Sequence, residues 1–121
     1  MNKVKFAFAF TMCMCGSASA EQFYKLSFLD GNKLLEMCDT APAVAAAYIV
    51  GSWDQWAPSV NVVNRYFGLE EYKLCIPSDI KAEDMKNIVC REIQNNPGQR
   101  SQPAYGFVER SLTKAYACSS S

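Results

Sequence analysis

The chain contains no histidine, and that absence removes more chemistry than any residue present adds. Ser-His-Asp and Cys-His nucleophilic catalysis, histidine-ligated zinc and the ordinary general base near neutral pH all require an imidazole. Carboxylate-pair and Ser-Lys chemistry stay open, but no spacing points to either, so the chain does not read as an enzyme. There is no excess of one charge: 12 basic residues face 12 acidic ones, which argues against nucleic acid as a partner, since phosphate binding needs a basic surface. No C-x-x-C pair occurs, so a four-thiolate zinc site lacks its usual spacing, and neither metal nor cofactor is expected. Gly-rich phosphate loops, glycosylation sequons, internal repeats and low-complexity tracts are missing too.

What is present begins with an export leader. Lys3 and Lys5 give a positive start, Phe6 to Cys15 a short apolar run, and Gly16-Ser17-Ala18-Ser19-Ala20 the small residues of a cleavage site. Residues 1–20 are therefore expected to be a signal peptide cleaved before Glu21. The apolar run is about half the length that a bilayer span requires, and no later stretch is long enough, so no membrane insertion is expected after cleavage. Cys13 and Cys15 each follow a methionine, not the small residue that lipid attachment favours. Losing Lys3 and Lys5 makes the formally neutral chain slightly acidic.

Residues 21–118 read as one helical domain and 119–121 as a frayed tail. Residues 21–30 look like an extended lead-in. Asp30-Gly31-Asn32 offers capping groups for a short helix with Leu34, Leu35 and Cys38 on one side, and Asp39 to Pro42 reads as a turn. From Ala43 an alanine-rich helix places Ala45, Tyr48, Ile49, Ser52 and Trp56 at helical spacing. Pro58 is expected to kink or end it, with residues 60–67 as a second helical piece. After a loop over 68–73, residues 80–94 form a helix with apolar Met85, Ile88, Val89 and Ile93. Asn95-Asn96-Pro97-Gly98 stops it. Ser101 or Gln102 should cap the last helix, whose stripe is Ala104, Phe107, Val108, Ser111, Leu112 and Ala115. The fold class is all-α: a compact bundle of four to five short helices stapled by one or two disulfides.

Cys38, Cys75, Cys90 and Cys118 remain after leader cleavage, and in an oxidising compartment four cysteines suggest bridges. Cys75 precedes the 80–94 helix while Cys90 sits well inside it, about 16 Å along the axis. A disulfide needs Cα atoms within about 7 Å, so these two are not partners. A short connection makes the last helix antiparallel, returning Cys118 beside Cys75. The expected pairs are Cys75–Cys118 and Cys38–Cys90.

Several segments together, FLDGNKLLEMC, AAAYIVGSWD, CIPSDI, MKNIVCREIQNNP and SQPAYGFVERSLTKAYAC, carry a family pattern. In order and spacing the stretch from about Phe28 to Cys118 resembles the Rap/Tai-type immunity proteins, periplasmic antidotes to peptidoglycan-amidase toxins delivered by type VI secretion. That family shows G-N-x-L-L-x-x-C, a Cys-x-Gly-Tyr-Ile-x-Gly segment, Cys-x-Pro, an apolar helix ending in His-Pro or Asn-Pro, and a closing Ala-Phe-x-Cys. This chain departs from it at Ala45, where a cysteine is usual, at Ala47, where glycine is usual, and at Cys90, where an aliphatic residue is common. The Cys75–Cys118 pair matches family positions; a family bridge involving Cys38 is not carried over.

The resemblance implies a periplasmic protein that binds tightly, without catalysis, and plugs a toxin's active cleft. The expected partner is a cognate secreted amidase, with a homodimer as a further possibility. Such an inhibitor needs a rigid scaffold and a protruding element with aromatic or charged anchors. Residues 64–73 fit best, with Tyr66, Phe67, Glu70, Glu71 and Tyr72 as candidates and Trp53 and Trp56 nearby. The competing reading puts Trp53, Trp56 and Phe67 in the core and leaves Glu70 and Glu71 as solvated loop charges. Two other functions stay open: a periplasmic acid-stress chaperone of the Hde type, which is also small, exported and disulfide-bonded, and a generic periplasmic helical binding module.

Overall fold

A computed structural model describes residues 28–68 and 73–119. The expected leader, Glu70, Glu71 and Tyr72 lie outside the described residues. Four α-helices follow in order: α1 over Gly31–Thr40, α2 over Pro42–Phe67, α3 over Ala82–Asn95 and α4 over Ala104–Tyr116, with a 3-10 turn at Pro97–Gln99. No named strand occurs among the described residues; two isolated bridges, Asp30 with Pro103 and Leu74 with Ala117, tie flanking chain to the two ends of α4.

Each helix boundary has a local cause. The Asp30 carboxylate accepts from the Lys33 N–H at 2.8 Å and so fills one of the donors a helix start leaves open. α1 runs through Asp39 and Thr40, so the expected turn shrinks to Ala41 alone. Ala41 donates its N–H to the Met37 carbonyl, while its own carbonyl accepts from Val44 and Ala45. Pro42 then opens α2, where its missing donor costs nothing. At the other end Gly68 takes the left-handed conformation, φ 65°, that closes a helix. The Lys81 N–H donates to the Asp84 carboxylate at the start of α3.

Two expectations about these elements are corrected. Of the kink or end expected at Pro58, the end does not occur: α2 continues as one helix of 26 residues. Pro58 and Asp54, whose carbonyl it leaves without a donor, are both exposed, so water can serve that carbonyl. Trp56 and Ala57 meanwhile pack against the core and keep this turn docked. Neither Ser101 nor Gln102 caps α4 with its side chain. The donors there are met by backbone: the Ala104 N–H reaches the Leu29 carbonyl and the Gly106 N–H the Pro103 carbonyl.

The core is drawn from all four helices: Leu34 of α1; Ala45, Ile49 and Trp53 of α2; Met85, Val89 and Ile93 of α3; Ala104, Phe107, Val108 and Leu112 of α4. Each large apolar side chain fully buried here contributes roughly 1.5–3 kcal/mol. Ser111 is buried among them, and its hydroxyl donates to the Phe107 carbonyl, so it carries no unmet polar group. Ala115, expected on the same stripe, is exposed.

Two disulfides close the bundle, Cys38–Cys90 with Cα atoms 6.3 Å apart and Cys75–Cys118 at 4.8 Å. Both pairings follow from the helix geometry argued above. The first joins α1 to α3. The second joins the segment before α3 to the end of α4, where the Cys75 N–H also donates to the Tyr116 carbonyl and the Cys118 N–H to the Lys73 carbonyl.

Candidate partner-binding surface

α2 is about 39 Å long at 1.5 Å per residue, nearly twice the length of α3 or α4. Its last buried residue is Trp53; the final four turns lie beyond the fully buried core. On those turns Val62, Val63, Tyr66 and Phe67 are exposed, Tyr66 to 81% and Phe67 to 74%. Their spacings of three and four residues put them on neighbouring ridges of the helix. An exposed aliphatic and aromatic cluster of this kind, at the tip of a helix, is a common form of interaction surface.

The expected anchors separate into three groups. Tyr66 and Phe67 lie together on the exposed tip. Trp53 is 5% exposed and belongs to the core. Trp56 is half-buried, with its ring centroid 5.2 Å from that of Trp53. Ten residues of helix, about 15 Å, separate Trp56 from Tyr66. Glu70, Glu71 and Tyr72 fall outside the described residues, between Gly68 and Lys73.

A second feature was not singled out in the sequence. A groove of about 490 Å³ runs between α2 and α4, lined by Tyr48, Ser52 and Trp56 on one side and Tyr105 and Glu109 on the other. Burial pushes the Tyr48 phenol's pKa up, with Ser52 opposing the rise and the nearby Tyr105 adding to it. The helical spacing of Tyr48, Ser52 and Trp56 was visible as a stripe, but it reads equally well as core. Tyr105 and Glu109 sit beside the α4 stripe, where periodicity gives no signal.

Beyond Glu109 a wider hollow of about 670 Å³ continues past Tyr105 towards Asp30, Gln102 and Arg110. The Arg110 guanidinium lies over the Phe107 ring, 4.9 Å from its centroid, an arrangement that favours a cation electrostatically. Among the described residues no group of three His, Cys, Asp or Glu side chains is placed to hold a metal. No helix among them is long and apolar enough to cross a membrane.

The family model of the Rap1a immunity proteins matches residues 30–118, from the Asp30 cap to the cysteine that closes the second disulfide. None of the curated proteins and none of the solved structures matches the chain.

Proposed function

Since the chain belongs to the Rap1a immunity protein family, we propose that it is a periplasmic, non-catalytic antidote that covers the active site of a type VI secreted peptidoglycan amidase. A cleaved leader over residues 1–20 carries it to the periplasm, and the two disulfides suit that oxidising compartment. The observation that carries this reading is the match over residues 30–118 to a family of immunity proteins, together with an exposed aromatic tip on a stapled scaffold. Tyr66 and Phe67 supply the apolar anchors. Glu70, Glu71 and Tyr72 follow after two intervening residues in sequence, and the carboxylates of Glu70 and Glu71 would meet a basic rim on the toxin and speed association.

A scaffold of this kind limits the entropy lost on binding, because the tip is an extension of a helix already docked into the core. The test is peptidoglycan hydrolysis by the type VI amidase effector of the same genome, titrated with the purified exported protein. Hydrolysis should stop near a one-to-one ratio. Undiminished turnover at a large excess of this protein would refute the proposal.

A further inference from the structure

We infer that the groove between α2 and α4 is a seat for a cationic side chain, lysine or arginine, of the protein partner; the inference rests on the immunity reading above. Three rings line it, Tyr48 and Trp56 from α2 and Tyr105 from α4, beside the polar Ser52, Gln55 and Ser59. The one charged residue lining it is Glu109, a carboxylate on the α4 side. Rings attract a cation through their π faces, and the carboxylate of the half-buried Glu109 beside them supplies the counter-charge. An anion placed there would meet Glu109 with like charge, and a purely apolar group would leave that carboxylate facing it without compensation.

The α2 wall is held in place before anything binds. On the α2 side, Tyr48 packs against the core, and Trp56 packs on Trp53, which is anchored in it. Arg110, next in sequence to Glu109, turns to the Phe107 ring and does not line this groove. The groove is also in line with the exposed tip. Tyr48 and Tyr66 are eighteen residues apart on one helix, about five whole turns at 3.6 residues each, so they stand on the same face. Trp56, Ser59 and Val63 continue that face between them at intervals of three and four. A partner laid along α2 therefore meets Tyr66 and Val63 at the tip and the aromatic groove further back.

Two measurements test this. In the first, the purified exported protein is titrated with blocked arginine, blocked lysine and blocked glutamine while the Trp56 indole N–H and the Glu109 amide are followed by NMR. The two cations should shift both signals saturably and the neutral amide should not. Glu109→Gln should weaken the cation response about tenfold. Equal response to glutamine, or none to either cation, overturns the inference. In the second, toxin affinity is compared for wild type, Glu109→Gln and Glu109→Lys. Affinity should fall about tenfold for the neutral variant and further for the lysine. Toxin binding that both variants leave unchanged overturns the groove assignment while the immunity reading stands. A wild-type protein that binds arginine but no amidase instead removes the immunity reading. Thermal melting of Glu109→Gln, matched to wild type, shows that any loss comes from binding and not from folding.

Discussion

Gly31 lies hard against Phe107. A Cβ carbon at residue 31 would stand 2.7 Å from Phe107 Cε2 and 2.9 Å from the Arg100 carbonyl oxygen. The first neighbour is a fully buried ring and the second is backbone, so neither can yield cheaply. Gly31→Ala should therefore destabilise the fold by about 1–3 kcal/mol, as overpacking of a filled core does. Urea unfolding of the variant reads this directly; a midpoint equal to wild type would mean that α1 can shift away from α4 at no cost.

Arg100 ties the end of α3 to the start of α1, and its replacement should be felt at the first of them. The guanidinium donates to the Ile93 carbonyl at 3.0 Å and the Gln94 carbonyl at 2.7 Å, at the C-terminus of α3, where positive charge also suits the helix dipole. The Arg100 carbonyl meanwhile accepts from the Asn32 N–H at the start of α1. Arg100→Ala removes only the first set. A loss of about 1–3 kcal/mol is expected, with earlier hydrogen exchange in the last turn of α3 and little change at Asn32.

The disulfides should contribute about equally through the unfolded chain. Their sequence separations are 52 and 43 residues, and loop-closure entropy varies only logarithmically with length, giving roughly 4 kcal/mol for each. The paired variants Cys38→Ser with Cys90→Ser, and Cys75→Ser with Cys118→Ser, should thus lose comparable stability in denaturant. A large inequality would mean that the native cross-links differ in fit to the helices they join.

Tyr48 gives the fold an alkaline limit. Its pKa is raised above 10.0 in the folded protein, first by burial, with the Ser52 hydrogen bond opposing and Tyr105 adding to it. Tyr116 is raised as well, by burial and then by the Asp84 carboxylate. A raised pKa means that the folded state holds its proton where the unfolded chain has lost it. The associated stability is full below the unfolded value of 10.0 and is lost as pH climbs through the folded one. Unfolding free energy should fall above pH 10.0, less steeply in Tyr48→Phe. A variant that loses stability in alkali as steeply as wild type would place the titrating group elsewhere.

At the tip, binding and stability should separate. Tyr66→Ala and Phe67→Ala remove exposed rings, so each should change stability by no more than about 0.5 kcal/mol. If Tyr66 is an anchor for the toxin, its truncation should weaken binding by about 2 kcal/mol or more. Exchanging Glu70 and Glu71 for lysine should add to that loss and slow association at low salt. Calorimetry of the complex, beside thermal melts of the free variants, decides it; full affinity in all of them would move the interface away from this tip.

Much of the scaffold was legible because it depends on local patterns. Met85, Val89 and Ile93 recur at the helical period and are the buried face of α3. Asp30 stands where a cap should, and it caps. The cysteine pairing followed from axial rise and the length limit of a disulfide. What local pattern could not supply was context. The cost of Pro58 depends on whether the carbonyl one turn back reaches water, which is a property of the packed molecule. The start of α4 takes its cap from the Leu29 carbonyl, a residue some seventy-five positions earlier in the chain, and no side-chain rule reports that. Trp53 and Trp56 are three residues apart with the same propensity, yet Trp53 is buried in the core and Trp56 is only half-buried, a difference set by the packed helices and not by local pattern. The groove itself needs Tyr105 and Glu109 from a distant helix, so it appears only once the helices are assembled.

The order of the four half-cystines along the chain has a consequence for survival of proteolysis. Cys38–Cys90 and Cys75–Cys118 overlap: the second starts inside the span of the first and ends outside it. A single peptide-bond cleavage anywhere between Cys38 and Cys118 therefore leaves both fragments linked by at least one sulfur bridge. A nicked molecule migrates as one species until reductant is added, so no one cut sheds either half.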